Sequence, residues 1–114
     1  MVLLWRLLPP STSSSLQLLR SGTSIGANVH ESRSAQSDKD FLHKMEIALK
    51  EARETEYWLE ILIESEVVEK PKFAQLLKEA NEIAKILIAS TRTVKDRLSG
   101  SKSNGRRMEA ASEN

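Results

Sequence analysis

Cysteine is missing from these 114 residues. Disulfide bridges, thiolate metal sites and a cysteine nucleophile are therefore excluded. Two histidines are too few for a His-rich metal cage. Two Trp, one Tyr and two Phe leave little material for stacking bases or lining an aromatic pocket. Charge of one sign is also lacking. Lys and Arg number 17 against 16 Asp and Glu, a net of +1, so overall charge alone does not attract nucleic acid. No run approaches the ~20 apolar residues of a membrane span. Four Gly and three Pro offer few interruptions to helices, which abundant Leu, Ala, Glu and Lys favour. The length suits one domain with one modest core.

What is present is helical periodicity. From Asp38 to about residue 67, Phe41, Met45, Ala48, Ala52, Thr55, Leu59 and Leu62 recur at spacings of 4-3-4-3-4-3. That is a heptad stripe on one helix face, widened by Leu42, Leu49 and Ile63. Ser37-Asp38-Lys39-Asp40 has the S-x-x-D form of a helix N-cap, with carboxylates at the positive end of the dipole. A helix of this length spans roughly 43 Å, which suits a bundle. The next helix is expected to open at Pro71, whose missing N–H is harmless in a first turn. Phe73, Leu76, Ala80, Ile83, Leu87, Thr91, Val94 and Leu98 carry its stripe, and Gly100 is the expected stop. The short connection between the two makes them antiparallel neighbours.

Residues 12–36 are richer in Ser and contain Gly22 and Gly26. Each Gly costs roughly 1 kcal/mol against Ala in a helix. Leu18, Gly22, Ile25 and Val29 nevertheless follow 4-3-4 spacing, so a helix is expected. Gly22 and Gly26 fall on one face, and the next helix offers Ala48 and Ala52. Small residues on both sides imply close packing of Gly22 and Gly26 against Ala48 and Ala52, which Gly26→Leu would overpack.

At the ends, apolar residues 2–8 are broken by Arg6 and stopped by Pro9-Pro10. A secretory signal needs a basic start, a longer apolar core and a small-residue cleavage site, so a cytoplasmic protein is expected. Residues 100–114 are rich in Ser, Asn and Gly, with Met108 their one large apolar side chain; a disordered tail is expected. The expected organisation is a single helix-bundle domain over 1–99, with 1–10 a short apolar N-terminal piece and 100–114 the tail.

Several segments together resemble a known family, the 23S rRNA intervening-sequence proteins, also called four helix bundle proteins. They are QLLRSGTSIGAN at 17–28, Asp40-Phe41 followed by Lys44, ALKEARET at 48–55 and EANE at 79–82. The resemblance runs over about residues 16–95. It implies an all-α, antiparallel up-and-down helix bundle in a bacterial protein. Some members of the family are encoded within insertions in 23S rRNA genes. Known relatives assemble as homopentamers, and a related retroelement accessory protein binds nucleic acid. No catalytic residues are established for the family, so none is carried over. Members similar to this chain have a full first helix before the QLLRSGTS segment. Here fifteen residues precede Leu16, which implies three long helices plus a short remnant of the first. An apolar groove left in its place would favour oligomers.

Candidate chemistry is sparse. Asp38, Asp40 and His43 could ligate a metal, but carboxylates at a helix N-terminus are the plainer reading. His30-Glu31 lacks a second His four residues on. Glu51, Glu54, Glu56, Glu60 and Glu64 lack the Glu-x-x-His pairs of a di-metal bundle and read as a solvated face with Lys50–Glu54 and Arg53 pairs. Tyr57-Trp58 reads as packing at a bundle edge, with base stacking the lesser alternative. Neither catalysis nor a cofactor is expected. Arg20, Asn28 and Glu31 are candidates for polar contacts between helices or subunits. Charge is uneven: residues 38–70 hold ten acids and five bases, while 92–107 hold six bases and one acid. Arg92, Lys95, Arg97, Lys102, Arg106 and Arg107 are the candidate nucleic-acid contacts. Cations favoured near a helix C-terminus are the competing explanation. The expected function is therefore a self-assembling, RNA-associated bundle; the alternative is a structural assembly protein with no nucleic-acid role.

Overall fold

Three α-helices follow one another in the computed structural model, which describes residues 13–66 and 68–112. They are α1 (Ser13–Ser32), α2 (Asp38–Glu64) and α3 (Lys70–Ser112), and no strand occurs among the described residues. The expected apolar piece at 1–10 lies outside them. Each junction has a local cause. α1 ends in a run of tight backbone bonds, Arg33 N–H to His30, Ser34 to Glu31 and Ala35 to Ser32. Ser37 then caps α2 from an extended conformation, its hydroxyl accepting from the Asp40 N–H at 3.0 Å. This satisfies one of the four donors a helix start leaves unpaired. α2 stops at Glu64, short of the expected 67. Glu66 there has φ of 60°, a left-handed conformation that helix ends use to turn away and that usually selects Gly.

The bundle is antiparallel with α2 in the middle. Arg20 of α1 meets Glu51 of α2, and Glu31 meets Lys44. Asp38 of α2 meets Arg97 of α3. The predicted α2 stripe is the inner seam: Met45, Ala48, Ala52, Thr55, Leu59 and Leu62 are all buried. Two apolar clusters flank its centre. Toward the α2–α3 turn, Leu18, Leu59, Leu62, Phe73, Leu76 and Ala80 pack together. Toward the other end, Ile25, Met45, Ala48, Ala52, Ala84 and Leu87 do so. Each large side chain buried here contributes about 1.5–3 kcal/mol relative to exposure. Between the clusters lies a polar layer, Ser21 of α1 and Thr55 of α2, both fully buried.

Two expectations are corrected. α3 does not stop at Gly100. It continues to Ser112, because Gly100 has no positive φ and a helical Gly only lowers propensity. Ala110 and Ala111 add two strong helix formers near the end. The Arg97–Asp38 contact marks the level where α2 begins, so about 15 further residues of α3 project roughly 22 Å beyond it. The second correction concerns Gly26. It lies inside α1, yet it is exposed, and a side chain added there meets nothing within 4 Å. The small α1 residue turned to the α2 seam is Ser21.

The correction at Gly26 reverses a mutational sign. Gly26→Ala is expected to stabilise by about 0.5–1 kcal/mol, because Ala loses less backbone freedom in an open helix position. A higher urea midpoint with unchanged slope is the readout; a loss of stability would restore the close-packed view.

Candidate functional site

The buried polar layer is built from the chain upward by residues that spacing alone treats as small. Thr55 shares its hydroxyl proton between the Glu51 carbonyl one turn back, at 2.8 Å, and Ser21 Oγ across the helix pair, at 3.0 Å. Ser21 in turn donates to the Leu18 carbonyl at 3.2 Å. No buried side-chain polar atom among the described residues lacks a partner. The layer holds α1 and α2 in register without offering a reactive group.

A charged clamp lies just outside it. The Arg20 guanidinium reaches Glu51 at 3.2 Å and Glu54 at closer range, while its Nε donates to Gln17 at 3.1 Å. The Trp58 indole N–H donates to Glu54 at 3.3 Å. Arg20 thus bridges two helices, and Glu54 pairs across them rather than with Lys50. The hydrogen bond from Arg20 is the main cause that holds the Glu54 carboxyl below its ordinary range, and Trp58 adds to it. The same bond raises the Arg20 pKa further. Glu31 of α1 reaches Lys44 at 2.9 Å and raises its pKa. Asn28 differs: its amide donates to the Ser24 carbonyl one turn back, so it bridges no helices in one chain.

Three other acidic candidates also take structural partners. Asp38 holds Arg97, and the Asp40 carboxylate accepts from the Gln36 N–H at 3.4 Å. Glu56 meets Arg53 at 3.5 Å. Among the described residues no group of three His, Asp or Glu side chains is placed to hold a metal ion, and no helix is long and apolar enough to cross a membrane. An open cleft of about 460 Å³ lies beside the α1–α2 connection, over Phe41 and Val94, with Arg33 and Arg97 among its lining residues.

The basic candidates follow α3. Arg92 is exposed and has no partner among the described residues. Lys95 meets Glu46 and Arg97 meets Asp38, each at 3.1 Å and each well exposed. Lys102, Arg106 and Arg107 lie on the projecting part of the same helix. At 100° per residue, positions 92, 95, 102 and 106 fall within a sector of about 80°, while 97 and 107 fall outside it. The unbroken helix creates this row; a chain stopped at Gly100 would have none. Exposed pairs such as Lys95–Glu46 are worth only about 0–1 kcal/mol, so they do not commit Lys95 to its acidic neighbour.

The 23S rRNA-intervening sequence protein family matches residues 10–89. A crystal structure from Bacteroides thetaiotaomicron, of a protein with unknown function from the S23 ribosomal protein family, is similar to this chain. It is 49% identical, has a TM-score of 0.69, and the likeness covers 71% of this chain and 75% of that one. No curated protein matches the sequence.

The clamp predicts a pH signature. Glu54 ionises more readily folded than unfolded, so its contribution is present above the ordinary value of 4.5. It is lost as pH falls through the lower folded value, where the unfolded chain has already taken up its proton. Arg20→Met keeps an apolar stem and removes the charge. The stability difference between the parent chain and Arg20→Met should therefore shrink as denaturation is measured from neutral pH down through this window. A difference that stays constant would assign Arg20 to packing alone.

Proposed function

The chain belongs to the 23S rRNA-intervening sequence protein family, and from that premise we propose that it is a non-catalytic, self-assembling helix bundle that associates with RNA. The observation that carries this reading is the α3 row. Positions 92, 95, 102 and 106 share one sector of a single helix, and the helix projects past the rest of the bundle. A rigid row of cations can follow a phosphate backbone, and it binds by charge rather than by base identity. Residues 38–70 carry the opposite charge and direct phosphate toward α3. Self-assembly would repeat the row and strengthen weak contacts through effective concentration.

A second reading rests on Lys95 and Arg97, which already face Glu46 and Asp38. If those pairs persist, the cations serve α2–α3 packing, and the protein is a structural assembly unit with no nucleic-acid role.

Binding to a structured RNA across a range of salt concentrations separates the two. The RNA reading expects little sequence preference and a log–log salt slope of about −0.7 to −0.9 per neutralised phosphate. Removing residues 101–114 deletes Lys102, Arg106 and Arg107 and should weaken binding and flatten the slope. Equal affinity and slope after truncation would move the contact elsewhere. No affinity even at low salt would leave the structural reading.

A further inference from the structure

The open cleft beside the α1–α2 connection is built from residues that the α3 row of cations does not use. Its floor is apolar. Phe41 is half-buried against the second core cluster, Val94 is buried, and both line the opening. Its rim is cationic. Arg33, just past the end of α1, is exposed, and its guanidinium has no partner among the described residues. Arg97 comes from α3 and is 60% exposed. Asp38 is the one acid among the lining residues. It engages a single Arg97 nitrogen at 3.1 Å, and a guanidinium has further N–H donors to offer a second anion. Gln36 adds a neutral amide to the edge.

An apolar floor beneath two guanidinium groups suits a flat ring joined to an anion. The volume of about 460 Å³ falls within the roughly 300–1,000 Å³ of small-ligand sites. We infer that the cleft seats one unpaired nucleotide of the bound RNA, its base over Phe41 and Val94 and its phosphate between Arg33 and Arg97. The inference rests on the RNA reading and adds to it a subsite for a base, which the α3 row lacks. Position supports it. Arg97 marks the level where α3 leaves the bundle, so RNA held along the projecting helix has the cleft at its foot. Arg97 lies outside the sector of the four row cations. A short single-stranded end reaches it by passing round α3, a helix about 10–12 Å across. A base inside a duplex is stacked on both sides and has no free face for the floor, so the cleft selects a single-stranded end. Aromatic stacking accepts every base, which keeps sequence preference low.

Three RNA hairpins with a common stem test the subsite, each titrated against the full chain at one low salt concentration. One ends blunt, one carries a single-stranded end of about four nucleotides, and one carries the same end without its bases. The abasic end keeps the phosphates, so a difference between the last two comes from the bases. The end with bases should bind roughly tenfold tighter than the abasic end, as one stacked base allows. Arg33→Gln, an exposed change that leaves melting unaltered, should weaken binding of the end with bases severalfold and leave the blunt hairpin unchanged. Phe41→Leu keeps an apolar floor, removes the ring and should shrink the tenfold difference. Equal binding of the two single-stranded ends overturns the subsite. So does Arg33→Gln lowering all three hairpins alike, which reports general charge only. In either case a parent chain that binds the blunt hairpin leaves the RNA reading standing on the α3 row. If no hairpin binds, the RNA reading falls and the subsite falls with it.

Discussion

Thr55 and Ser21 fix how the first two helices lie against each other. Both hydroxyls are fully buried, and a buried hydroxyl without a partner costs about 1–3 kcal/mol. They satisfy each other across the α1–α2 pair at 3.0 Å. A slip of one turn would set Ser21 against Ala52 or Leu59 and leave the cross-helix bond unmade. The two apolar clusters then lie on either side of this layer, Ala80 the small residue of one and Ile25, Met45 and Leu87 the large residues of the other. Leu18, Leu59 and Phe73 fill one end, while Ala48, Ala52 and Ala84 let the helices approach at the other. The same register brings Arg20 to Glu51 and Glu54, and Glu31 to Lys44.

Much of this was legible in the sequence, because a seam buried on one side leaves a strict 4-3 record. The α2 stripe, the Ser37 cap and the antiparallel order follow from spacing and cap chemistry alone. Gly26 misled for a physical reason. Spacing places Gly22 and Gly26 on a shared face of α1, but does not say which way that face turns. Ser21, one position earlier, gave no periodic signal because a serine counts as polar until its partner is known. Gly100 misled because Gly weakens a helix without ending it, and no left-handed turn forms there. The reverse holds at Glu66, where a left-handed residue does end α2 and no Gly announces it. The clamp on Glu54 was hidden because Lys50 is the nearer partner along the helix. Only the packing of α1 brings Arg20 closer.

The division of labour among the helices follows from α2 lying between the other two. Its buried stripe makes the bundle. α3 is longer than its companions, and its end projects past the level where α2 begins.

Amide hydrogen exchange on the full chain tests the central claim, that α2 is the shared spine of the fold. Amides that open only with global unfolding should cluster around Ala48, Ala52, Thr55 and Leu59, with the facing turns of α1 and α3 close behind, and residues 101–112 should exchange far faster. If α1 or α3 keeps its slow amides while those of α2 exchange freely, the seam around Thr55 does not organise the bundle.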